Sequence, residues 1–110
     1  MDPRAAELQA RGLQLYRDAR EAGQYEVAYH ALCAALHAAE ALDDGGACEL
    51  VEREARTCRD WIDTHAPESK LSSRSAQSRG HESIFRQLAV MAEAARLRLQ
   101  ADAQKRKGRL

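Results

Sequence analysis

His30, Cys33 and His37 stand at positions i, i+3 and i+7 of the stretch YEVAYHALCAALHAAEAL, numbers 25–42. On a helix turning about 100° per residue, the two imidazoles nearly eclipse and the thiol falls about 60° away. Imidazole and thiolate on one face are zinc-type ligands. Cys48 or Cys58, from a following helix, would complete the set. Against this, no Cys-x-x-Cys pair accompanies them, and Cys48 and Cys58 are far apart in sequence. The three residues also lie opposite the apolar stripe begun by Tyr25, Ala28 and Leu32, and a helical cysteine is an ordinary packing residue. A metal-binding helical domain built on His30, Cys33 and His37 is therefore the alternative reading.

Other chemistry has less support. There is no Gly-x-Ser-x-Gly, and "DDGG" at 43–46 lacks the lysine and spacing of a phosphate loop. Glu49, Glu52 and Glu54 read as solvated helix carboxylates. No Glu-x-x-His pair suggests a di-iron site. The chain reads as a non-enzyme without a cofactor. Trp61 is either a binding anchor or core, and its place beside an apolar stripe favours core. Arg96, Arg98, Lys105, Arg106, Lys107 and Arg109 form a basic end. It offers a second alternative, a nucleic-acid accessory protein. No aromatic platform interleaves those charges, and 17 basic residues balance 17 acidic ones, so nucleic acid is disfavoured.

Helices must position all of these groups. Alanine is abundant, aromatics make up 5% of the 110 residues, and no stretch alternates like a strand. The first helix is expected from Asp2, as cap, and Pro3, with Ala5, Leu8, Gly12, Leu15, Tyr16 and Ala19 inward. Gly23 ends it. The second runs from Tyr25 to Leu42, burying Tyr25, Ala28, Leu32, Ala35, Leu36 and Ala39. The third runs from Ala47 to His65, on Val51, Ala55, Cys58, Ile62 and His65. Residues 67–82, rich in Ser and Arg, read as a flexible linker. The last helix runs from Ser83 toward Lys107, with Ile84, Leu88, Met91, Ala92, Ala95 and Leu99 on one face and Phe85 widening it. The expectation is an all-α fold: a small antiparallel helical bundle, three short-linked helices plus a long C-terminal helix. Its parts are a bundle at 1–66, a linker at 67–82 and an amphipathic helix with a basic tail at 83–110.

Gly23, Tyr25, Ala28, Leu32, Ala35 and Leu36 resemble the second half of a tetratricopeptide repeat (TPR): a turn glycine, an aromatic two on, then small residues that allow close helix approach. Leu15 fits the repeat's leucine position. Gly12, Tyr16 and Ala19 depart from the pattern, and Ile62 stands where a next repeat would place its key alanine. The resemblance covers one hairpin, about residues 8–42, which is also similar to the start of an MIT (microtubule-interacting and trafficking) domain. Both families bind partner peptides or helices and are non-catalytic, and that is what the resemblance implies.

The main reading is a protein–protein interaction or self-association module that takes a partner helix or peptide. Its contact residues are expected on the last helix, at Ile84, Phe85, Leu88, Met91 and Leu99, with a homodimer through that helix. No apolar run approaches the ~18 residues of a membrane span. The N-terminal residues hold no apolar signal core, and three cysteines without paired spacing suit a reducing compartment. A cytoplasmic location is expected.

Overall fold

The structure, a computed structural model, describes residues 3–108. Helix α1 spans Pro3–Glu21, α2 Tyr25–Ala41, α3 Gly45–His65, α4 Ser73–Ser78 and α5 Ile84–Gly108, with no strand among the described residues. This is an all-α antiparallel bundle. α1 lies along α2 and α5 along α3, so the chain forms two helical hairpins joined mainly through α2 and α3. Its extents are 54 × 28 × 17 Å, about two helices thick. Asp2, the expected first cap, lies outside the described residues.

The first two turns close by the same pair of hydrogen bonds. After α1, the N–H of Gln24 donates to the carbonyl of Ala19 (2.8 Å) and that of Gly23 to Arg20 (3.1 Å), with Gly23 at φ 72°. This is the exit a left-handed residue makes possible. After α2, Asp44 donates to Ala39 (3.1 Å) and Asp43 to Glu40 (3.0 Å). Here the left-handed residue is Asp43, at φ 52°, and not a glycine. Gly45 and Gly46 instead open α3, two residues earlier than Ala47. The Asp44 carboxylate caps that helix by accepting from the Ala47 N–H at 3.0 Å.

Packing on α1 corrects the expected stripe. Gly12, Leu13, Tyr16 and Ala19 are buried, while Leu8 is 58% exposed and Leu15 51%. The cause is the close seam at Gly12. A Cβ there would stand 3.2 Å from the Ala31 carbonyl oxygen and 3.4 Å from the Ala35 Cβ. Seating that glycine on α2 fixes the rotation of α1, which brings Leu13 and Tyr16 inward and leaves the two leucines on the flank. On α2 the expected residues are buried, joined by Ala31, except that Tyr25 stays partly exposed. On α3, Val51, Ala55, Cys58 and Ile62 are buried as expected, but His65 is exposed. On α5, Phe85, Leu88, Ala89, Ala92 and Ala95 are buried, and Met91 is 56% exposed.

The segment 67–82, read as a flexible linker, contains α4 and is tied down by its own hydroxyls. Ser72 is buried; its Oγ donates to the Pro67 carbonyl (2.8 Å) and accepts from the Ser75 N–H (3.1 Å), capping α4. The Asp63 carboxylate on α3 accepts from both the N–H (2.8 Å) and the Oγ (2.6 Å) of Ser73. Serine runs read as solvated chain because these local partners are invisible without the fold. The C-terminal helix then folds back on the same chain. Arg56 bridges Glu52 (3.3 Å) and Glu93 (3.2 Å), Arg96 reaches Glu52 (3.3 Å), and Arg98 reaches Glu40 on α2 (3.1 Å). Arg96–Glu52 is largely covered, while the others are at least partly exposed and fix register more than they add stability.

Candidate functional site

Antiparallel order brings the start of α2 and the end of α3 to one end of the bundle. Tyr25 opens α2 and Trp61 sits in the last turns of α3. The indole Nε1–H of Trp61 donates to the Tyr25 hydroxyl at 3.2 Å. One turn on, the His65 ring stacks on the indole, with centroids 3.7 Å apart and planes at 19°, and its Nδ1 lies 3.1 Å from the Trp61 carbonyl oxygen. Trp61 nevertheless remains 44% exposed. This corrects its assignment to the core: an indole bonded at one edge and stacked on one face still presents apolar surface outward.

Beside it is a groove of about 370 Å³, lined by Arg20, Glu21, Gly23, Tyr25, Thr57 and Trp61. A shallower hollow of about 180 Å³ continues past Gly23 and Tyr25 to Ser69, Lys70 and Leu71. Arg20 is held from behind. It donates to the Tyr16 hydroxyl (3.0 Å) and lies over that ring at 5.2 Å, while Tyr16 donates to the Glu54 carbonyl (3.2 Å). Burial pushes the Tyr16 phenol up to about 12, with Cys58 and Glu54 adding to the rise and Arg20 opposing it. Gly23 matters to the shape, because no side chain at the turn fills the space between Tyr25 and α1.

The metal candidates are placed differently. His30 and His37 are exposed and Cys33 is half-buried. Among the described residues no group of three or more His, Cys, Asp or Glu is gathered to hold a metal ion. The His30 ring meets the edge of Tyr29 at 5.2 Å. Burial raises the Cys33 thiol above its usual range, partly offset by a hydrogen bond with Tyr29. Cys48 and Cys58 are sealed in the core, and burial pushes Cys58 up to about 12, away from the thiolate form that binds metals or attacks electrophiles.

The expected contact residues on α5 are mostly inside the chain's own core. Phe85 and Leu88 are fully buried, Ile84 and Leu99 pack against them, and only Met91 faces outward. Within the basic end, Arg96 and Arg98 are already ion-paired, and Arg109 lies outside the described residues. The groove itself had a sequence signal: an aromatic just after a turn glycine, and a Trp-x-x-x-His step near a helix end that short turns return to the same place. No described helix is long and apolar enough to cross a membrane. No protein-family model, curated protein or solved structure matches the chain.

Proposed function

We propose that the chain is a non-catalytic binding module that takes a peptide segment of a protein partner across the Trp61 groove. The observation that carries this is the half-exposed Trp61, held by Tyr25 and His65 at the wall of an apolar groove that runs on past the α1–α2 turn. A fixed indole offers large contact area with little loss of side-chain freedom on binding, which is why tryptophan dominates binding hot spots. The groove is shallow and open, which suits an extended segment better than an enclosed small molecule. Its margins carry both signs, Arg20 beside Glu21 and Lys70 paired with Glu26 at 3.6 Å, so the polar rim sets register rather than a preference for one charge. The resemblance of the first hairpin to TPR and MIT hairpins supports the same class of function, and a reducing, cytoplasmic setting suits the free cysteines.

The test is selection from a random-peptide display library against the full chain. Enriched sequences should shift the emission of Trp61, the chain's single tryptophan, and lose binding to Trp61→Ala by at least about tenfold. A library that yields no enriched sequence, or sequences indifferent to Trp61→Ala, overturns the proposal.

A further inference from the structure

The serine-rich segment that closes the second hairpin also shapes a hollow. α4 ends at Gly80, whose left-handed backbone (φ 72°) lets the His81 N–H return to the Ala76 carbonyl at 2.9 Å. The chain then doubles back to begin α5, and a hollow of about 250 Å³ is left between α4 and the start of α5. Its floor is apolar: Ala76 is buried, and Leu71 and Ile84 are half-buried. It adjoins the Trp61 groove, because Lys70 and Leu71 line both this hollow and the shallow one that runs past Gly23 and Tyr25.

The charges on its rim are not equivalent. Lys70 is already paired with Glu26 (3.6 Å), and Glu82 with Arg86 (3.8 Å). Arg79 has no carboxylate partner among the described residues. One of its terminal nitrogens donates to the Ser75 hydroxyl (2.9 Å) and the other to the Lys70 carbonyl (3.0 Å). Two neutral acceptors thus fix the guanidinium at the rim, while its charge stays unmatched and further N–H donors remain. An apolar floor beside one fixed, uncompensated guanidinium fits a carboxylate that accompanies an apolar side chain. An inorganic anion would leave the floor empty, and a neutral segment would leave the guanidinium unmatched.

We propose that this hollow takes the C-terminal residue of the peptide bound at the Trp61 groove, with an apolar side chain on Leu71, Ala76 and Ile84 and the terminal carboxylate on Arg79. A terminal residue carries both groups on one α-carbon, which suits a hollow of this size. The inference rests on the Trp61 reading for the rest of the peptide, and it gives that peptide a direction, its last residue lying at the α4 end.

The test titrates N-acetyl-leucine and its carboxamide into the full chain, followed by amide NMR. N-acetyl-leucine should shift the signals of Leu71, Ala76 and Ile84, and the carboxamide should bind at least about fivefold more weakly. Arg79→Gln, verified as folded by thermal melts, should erase that difference. Trp61→Ala leaves the hollow intact and should bind N-acetyl-leucine like the parent. Peptides selected with free C termini should end in an apolar residue, and amidating them should weaken binding about fivefold. Acid and carboxamide probes that bind the parent equally, or shifts confined to other residues, overturn the proposal. Peptides that need Trp61 but are indifferent to amidation also overturn it, and leave the groove reading standing. A hollow that discriminates between the probes while no peptide depends on Trp61 supports the carboxylate site and overturns the groove alone.

Discussion

The two hairpins reach the same antiparallel geometry by different means. α1 and α2 are joined by three residues, 22–24, and meet along small side chains, with Gly12 against Ala31 and Ala35. α3 and α5 are joined by the long segment 66–83 and meet through larger groups: Val51, Ile62, Phe85 and Leu88. A short turn holds its helices close at one end, and beside the Gly12 seam the same hairpin buries Leu13, Tyr16, Leu32 and Leu36. A long connection leaves closure to the side chains, and the second hairpin accordingly adds the Asp63–Ser73 clasp and the ion pairs of Arg56 and Arg96. Both hairpins bury large side chains; what differs is the tether, a three-residue turn in one and a clasped segment in the other.

Truncating the core should give the largest effects and probes that contrast directly. Leu32→Ala in the first hairpin and Phe85→Ala in the second remove fully buried side chains and should each cost about 3–5 kcal/mol in urea unfolding. Phe85→Ala should also loosen α5, read as faster amide exchange along 84–99 than Leu32→Ala produces. His30→Ala, at an exposed position, should cost far less, and a cost rivalling that of Leu32→Ala would mean that the face of α2 is misassigned. Gly12→Leu comes next. Overpacking the close seam should cost about 3 kcal/mol, and a neutral result would show that the first hairpin does not depend on close approach. Asp63→Ala should cost about 2 kcal/mol by leaving the Ser73 groups without their acceptor. Trypsin should then cut faster at Lys70, Arg74 or Arg79, with no new cuts between Tyr25 and Ile62.

The alkaline limb of stability should be milder and belongs to the junction of the hairpins. Tyr16 and Cys58, normally near 10.0 and 9.0, are both pushed up to about 12 by burial. Above about pH 9 the unfolded chain loses these protons before the native one does. Stability is therefore full below that pH and falls as pH rises toward about 12. Thermal melts across that range should show the fall, and Tyr16→Phe should flatten it while weakening the protein at neutral pH.

The most legible helix was α3, where Val51, Ala55, Cys58 and Ile62 repeat at helical spacing among charged residues and only His65 turned outward. On α2 the Ala28, Leu32, Ala35, Leu36 and Ala39 set was readable although Val27 and Ala34 put apolar residues on the outer face too. α1 and α5 hold apolar residues on more than one face, so period alone could not choose between Leu13 and Leu15, or separate Met91 from Ala92. What chose was a tertiary contact, the Gly12 seam in one case and the fit on α3 in the other. The clasp at Ser72 and Ser73 was hidden because its partners, Pro67 and Asp63, are named only by the folded path of the chain. The Trp61 groove was half legible: Gly23, Tyr25 and Trp61 stood out singly, Arg20, Glu21 and Thr57 did not, and their convergence depends on where Tyr25 sits against α3.

The long connection also sets an order of events during synthesis. The first hairpin is complete once Leu42 has left the ribosome, and it can close while α3 is still being made. α3 meets α2 as it emerges, as in the Trp61–Tyr25 bond, but its main neighbour is still to come. Its apolar face must wait for α5, and at about 5–20 residues per second the interval from Ile62 to Leu88 is on the order of seconds. During that time the nascent chain presents Val51, Ala55 and Ile62 on a finished helix that lacks its main cover. Contact with a chaperone, or with a neighbouring nascent chain, is therefore most favoured after α3 and before α5, within a window set by the distance between two helices in the message.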